Sequence, residues 1–148
     1  YFAVQPGGLF HSPPMKILLV AGVVTIFIMG SYPTTQIYQH DEDRRRGDRT
    51  ISMLLGTKGT LLCSAVLLAA ASLLLCILMY RFYGGKTALL LVLLMLPAAA
   101  YFSAWLISCV RGRAAADYDH MMRLCMIGAT GMNLFCLAFY LSVRHAGF

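Results

Sequence analysis

The chain has 148 residues, of which 59% are hydrophobic and only 12% charged, and its mean hydropathy is +0.72. Soluble domains carry about 25% charged residues, so the composition excludes an ordinary water-exposed globule. A net charge of +6 raises the question of nucleic-acid binding, which the placement of the charges answers below.

The chain begins at Tyr1, and its first residues show no charged n-region ahead of an apolar core. No signal peptide is visible, and the numbering is expected to start inside a longer protein. Residues 17–40 are uncharged, apolar to Gly30 and then polar through Tyr32-Pro-Thr-Thr-Gln-Ile-Tyr-Gln-His40. Residues 60–79, 87–110 and 124–143 each lack Asp, Glu, Lys and Arg. A helix needs roughly 20 apolar residues to cross a hydrocarbon core of about 30 Å, and all of these stretches are long enough. A soluble bundle would need polar helix faces, and these segments have almost none. The pattern predicts an all-α transmembrane helix bundle with spans at about 15–38, 59–80, 87–110 and 122–143. A charged loop at 39–58 separates the first two, and the paired glycines of Arg81-Phe-Tyr-Gly-Gly-Lys86 make a tight turn between the next two.

Alternating spans place 40–58 and 111–123 on one side of the membrane. That side holds Arg44, Arg45, Arg46, Arg49, Lys58, Arg111, Arg113 and Arg123, against Lys16, Arg81, Lys86 and Arg144 on the other. By the positive-inside rule the richer side is cytoplasmic, which implies an integral protein of the cell inner membrane. All six acidic residues are there too. The net positive charge therefore reflects topology, and no nucleic-acid partner is expected.

The segment Asp41-Glu-Asp-Arg-Arg-Arg-Gly-Asp-Arg-Thr50 carries the chemistry. Carboxylates suit Mg²⁺, which typically binds through one or two of them plus substrate phosphates. Arginine forks suit phosphate oxygens directly. A phosphate-bearing substrate bridged by Mg²⁺ would use both sets; a solvated loop pairing its own charges and anionic lipid headgroups is the plainer alternative.

Order and spacing bear on the choice. Asp41-Glu-Asp43, Gly47, Arg49-Thr50 and Leu55-Gly56 resemble the second aspartate-rich motif of the UbiA superfamily of intramembrane prenyltransferases, which reads D-x-x-x-D, then Gly, a basic residue with Thr, and Leu-Gly. The preceding helix, with Phe27, Gly30 and Tyr32, and the three apolar helices that follow also fit. The resemblance implies that residues 1–148 are the C-terminal part of a single prenyltransferase domain within a larger nine-helix bundle, with the family's first aspartate motif upstream of Tyr1.

That resemblance further implies Mg²⁺-dependent transfer of a prenyl group from an isoprenoid diphosphate to a lipophilic, often aromatic, acceptor within the bilayer. It assigns Asp41 and Asp43 as catalytic metal ligands with Glu42 as a weaker one, and Arg44, Arg49 and Gln39 to the substrate. Arg45 and Arg46 read as lipid-facing or solvated. One departure stands out: aligned on Gly47, the motif's second Asp falls on Asp43 and its first on Gln39. A helical segment would put Gln39 and Asp43 on one face and Asp41 roughly opposite. Either Asp41 and Asp43 act from a non-helical stretch, or fewer carboxylates suffice, or the chemistry has drifted. A non-catalytic membrane protein, a transporter or assembly subunit, and an inactive relative are the alternatives in function. Inside their ends the spans hold no Asp, Glu, Lys or Arg, which counts against ion coupling.

The remaining candidates read as structural. Asp117-Tyr-Asp-His120 reads as solvated loop before metal cluster, and Asn133 as an interhelical hydrogen bond. Gly128, Gly131 and Ala98-Ala-Ala100 suggest close helix packing, Pro97 a kink, and Tyr101, Trp105 and Tyr140 packing. The five cysteines read as small buried thiols, and His11 and His145 carry no assignment.

Overall fold

The computed structural model describes residues 13–145, and the side chains of 14–142. His11 lies outside the described residues, as do the side chains of Arg144 and His145. Five helices account for nearly all of it, and no strand occurs among the described residues: α1 (Pro13–Gln36), α2 (His40–Arg46), α3 (Ile51–Tyr83), α4 (Gly85–Val110) and α5 (Tyr118–His145). Four stretches are long and apolar enough to cross a membrane: one through α1 and α2, then α3, α4 and α5. The expected all-α membrane fold is what the chain adopts.

The expected loop at 39–58 is largely helix. After one 3-10 turn at Ile37–Gln39, right-handed helical backbone carries on from α1 through α2 into the charged segment. Polar residues before it hold the helix together around Pro33. The Ser31, Thr34 and Thr35 hydroxyls donate to the carbonyls of Ile28, Ser31 and Tyr32 at 3.3, 2.5 and 2.7 Å, so hydroxyls that would be costly bare in lipid are satisfied locally.

α1 packs along α3, α3 against α4 and α4 against α5, with only slight contact between α1 and α5. Small residues set the close approaches. A Cβ at Gly30 would lie 2.9 Å from the Leu67 Cβ, and one at Gly131 only 2.4 Å from the Leu94 carbonyl oxygen. The second pair fixes α5 against α4, as the glycine spacing suggested; Gly128 has only ordinary contact with Ala98. Pro97 lies inside α4, which runs unbroken across it.

Two apolar clusters knit the ends. Ile37, Leu61, Phe102, Trp105, Cys109 and Met121 form the one beside α2. Met79, Leu91 and Phe135 form the other, near where Lys16 sits 5.3 Å over the Phe82 ring. Between them the helices leave many large apolar side chains outward, among them Leu54, Val66, Leu73 and Met126, as lipid contact or further helices would require.

Two sequence readings change. Cys63, Cys125 and Cys136 are exposed on helix surfaces, and only Cys109 is buried; all five are free thiols. Asn133 is exposed and its side chain makes no hydrogen bond among the described residues. Tyr140 is exposed, as packing against lipid allows, and Trp105 packs in the core.

Candidate active site

Three motif residues turn out to be punctuation for the backbone. Gly47 ends α2 with φ +79°. Its N–H donates to the Arg44 carbonyl at 3.3 Å and the Asp48 N–H to that of Asp43 at 2.9 Å, the two bonds of a Schellman stop that favours glycine. Thr50 starts α3: its side-chain oxygen accepts from the Met53 N–H at 3.3 Å, the usual use of an N-cap threonine. Gly56, at φ +65° and ψ 170°, breaks α3 five residues later, in a region essentially reserved for glycine. The break frees carbonyls, and Thr60, fully buried, donates its hydroxyl to those of Ser52 at 3.1 Å and Gly56 at 2.8 Å.

On this frame the acidic trio does not converge. Residues two apart on a helix point about 200° from each other, so Asp41 and Asp43 occupy different faces. Asp41 and Glu42 are exposed and pair with Arg44 (3.4 Å) and Arg46 along the outer surface of α2. Asp43 is the member of the trio partly withdrawn from solvent. Gln39, four positions earlier in continuous right-handed helical backbone, shares its face, although its own side chain is exposed. Arg49 lies exposed in the turn before α3, with no ion-pair partner among the described residues. Of the alternatives open in the sequence, the non-helical one falls away.

Two arrangements had little sequence signal. The His40 Nε2 is 2.5 Å from the Oγ of Ser52, which is fully buried. This bond ties α2 to the first turn of α3, one helical turn from Asp43. A histidine three residues before a motif aspartate was visible in the sequence; nothing there marked Ser52 as its partner. The second is Asp117-Tyr-Asp-His120. Asp117 caps α5, accepting from the His120 N–H at 2.9 Å and lying 2.7 Å from His120 Nδ1. These bonds, the backbone N–H first, hold the Asp117 carboxyl below its ordinary range. His120 in turn lies parallel to Trp105, ring centres 5.8 Å apart, and the Trp105 Nε1–H donates to the Ala115 carbonyl at 3.1 Å. The segment is built structure, neither metal cluster nor free loop. It meets α2's lead-in through an edge-on contact of Tyr38 and Tyr118 at 5.3 Å.

Among the described residues no group of three or more His, Cys, Asp or Glu side chains is placed to hold a metal ion. The arrangement leaves Asp43 as the one partly shielded carboxylate of the trio, a few residues before the exposed Arg49. One carboxylate fits Mg²⁺ that takes its other oxygens from phosphate and water, and does not fit an all-protein metal cage.

Comparison with curated proteins and with solved structures gave no match. The family model for the UbiA prenyltransferase family matches residues 1–141. That match covers nearly the whole chain, both the motif and the four apolar stretches, and the chain belongs to the UbiA prenyltransferase family.

Proposed function

We propose that this protein transfers a prenyl group from an isoprenoid diphosphate to a lipophilic, often aromatic, acceptor within the membrane, and that α2 and its flanking turn bind the diphosphate. The observation that carries this reading is the asymmetry of the acidic trio. Asp43 is drawn partly inward and anchored through its helix to α3, whereas Asp41 and Glu42 are spent on surface arginines.

In this reading Asp43 is the principal metal ligand, with Gln39 offering a carbonyl oxygen from the same face. Asp41 and Glu42 play lesser parts, as outer carboxylates that keep Arg44 and Arg46 in place. Mg²⁺ bound there would neutralise charge on the diphosphate as it departs. Arg49, with no ion-pair partner among the described residues, and Arg44 contact the diphosphate oxygens. The bond between the allylic carbon and the diphosphate oxygen breaks with its electron pair leaving on oxygen. A carbon or oxygen of the acceptor bonds to the allylic carbon and gives up a proton. The outward apolar faces of the helices, joined by further helices of a larger bundle, would hold the isoprenoid tail and keep water from the cation. Charge placement orients the α2 end to the cytoplasm of an inner-membrane protein.

Asp43→Asn tests the reading against Asp41→Asn, with wild type and both variants reconstituted in liposomes and assayed for prenyl transfer in Mg²⁺. The expected result is loss of about two orders of magnitude or more for Asp43→Asn and a small loss for Asp41→Asn. Equal activity of Asp43→Asn and wild type would overturn it.

A further inference from the structure

The end of the molecule that carries α2 holds a second feature, which prenyl transfer as proposed above does not use. Between the last turns of α4 and the first turns of α5 lies an open cavity of about 230 Å³, lined by Tyr101, Trp105, Ser108, His120, Arg123 and two alanines. Pockets for whole drug-sized ligands are usually about 300–1,000 Å³, so this one suits a head group better than an entire lipid or prenyl chain.

Its polar lining consists mainly of donors. Arg123 is exposed and has no ion-pair partner among the described residues. The Tyr101 hydroxyl is shielded from solvent and has no hydrogen-bond partner among them. His120 spends Nδ1 on Asp117, and its ring lies parallel to Trp105; its Nε2 has no hydrogen-bond partner among the described residues. Ser108 has already given its hydroxyl hydrogen to the Ala104 carbonyl at 2.9 Å. No carboxylate lines the cavity among the described residues; Asp117 accepts from the His120 N–H and lies against its ring, and Asp119 is in the same first turn of α5. That helix start adds the positive end of its dipole to the same region.

Arg123 at the rim of a small opening, with the His120 ring in its wall and the unpartnered Tyr101 hydroxyl just beneath that wall, suits an oxyanion. The opening lies near the ends of two membrane-length helices; Trp and Tyr are enriched at membrane–water interfaces, and basic pockets between spans take lipid headgroups. We propose that this cavity is a binding site for a phosphate group at the membrane surface, separate from the site at Asp43. Phosphate can reach it from two sources, the headgroup of an anionic phospholipid or phosphate free in solution.

Trp105 is the single tryptophan of the chain, so its fluorescence reports on this cavity directly. The protein is purified in a phosphate-free sugar detergent and titrated separately with dioleoyl phosphatidylglycerol and with inorganic phosphate. A saturable change in Trp105 emission is expected from at least one. A response to the lipid alone identifies a headgroup site, and a response to inorganic phosphate identifies a site for the soluble ion. In either case Arg123→Gln, an exposed change that spares the fold, and Tyr101→Phe, which removes only the hydroxyl, should each weaken the response about tenfold. Arg113→Gln, which alters a loop charge outside the cavity, should leave it unchanged. No response to either titrant overturns the proposal. So does a response that survives both cavity substitutions, or one that Arg113→Gln weakens as much as Arg123→Gln does, since that would be surface charge alone.

Discussion

The Nε2 of His40 meets the buried hydroxyl of Ser52 at 2.5 Å, and through that contact the helix bearing Asp43 is fastened to the helix that follows it. The two residues are twelve apart in sequence and on either side of the Gly47 stop. Neither belongs to the acidic motif, yet the bond between them holds the start of α2, three residues before Asp43, against the first turn of α3.

The two ends of this bond should fail unequally. Ser52→Ala lets His40, only partly buried, turn to water, at a cost of about 1 kcal/mol. His40→Phe strands the Ser52 hydroxyl in a fully buried position, which costs about 1–3 kcal/mol. The double variant removes the stranded group and should be more stable than His40→Phe alone, a coupling readable by unfolding in detergent. Destabilisations that simply add would deny that the two side chains interact.

Arg49 and Arg44 should separate in substrate affinity. Arg44 shares its charge with Asp41 across 3.4 Å, while Arg49 has no such partner. If Arg49 holds diphosphate oxygens, Arg49→Gln raises the KM for the isoprenoid diphosphate by roughly tenfold or more, as loss of a charge-assisted hydrogen bond implies. Arg44→Gln should raise it less, and steady-state kinetics over a range of diphosphate concentration distinguishes the two.

Glycine substitutions should sort by backbone and by space. Gly56→Ala forces a side chain into φ +65°, ψ 170° and costs about 1–3 kcal/mol. Gly131→Ala drives a methyl group to 2.4 Å from the Leu94 carbonyl oxygen, so α5 must back away from α4, at about 1–3 kcal/mol. Gly22→Ala, with open space around it in a regular helix, should stabilise by about 0.5–1 kcal/mol. Thermal unfolding of the three variants in one detergent gives the order.

Acid should expose the role of Asp117. Its carboxyl is held low, first by the His120 backbone N–H and then by the His120 ring, so the folded state favours the ionised form. That stability is fully present above the unfolded carboxyl value of about 3.9 and fades as pH falls through the lower folded value. Asp117→Asn keeps an oxygen to cap α5 and removes the charge. Its deficit against wild type, measured as the unfolding midpoint from pH 6 to pH 3, should shrink toward the acid end. The side chain is nearly half exposed, so the effect is modest.

Much of this molecule was legible before its structure. Uncharged stretches long enough to cross a bilayer can be read from composition because lipid rejects charge residue by residue, with no need to know which helices touch. Gly47, Thr50 and Gly56 were legible as a pattern for a related reason: a left-handed stop, an N-cap and a glycine-only break are local backbone needs that each residue meets by itself. Helical periodicity also foretold that Asp41 and Asp43 would part company if the segment were helical, although not that it would be. What sequence could not supply were contacts between residues far apart in the chain. Ser52 became the partner of His40 only when α3 folded back along α1 and the 3-10 turn that leads into α2. The exposure of Asn133 and three of the cysteines likewise depended on which helix faces met. The cavity beside Trp105, too, exists only because α4, α5 and the turn between them close around it. Those outcomes depend on packing geometry, where a rotation of one helix by a fraction of a turn exchanges buried for exposed, and no single segment of the chain encodes that angle.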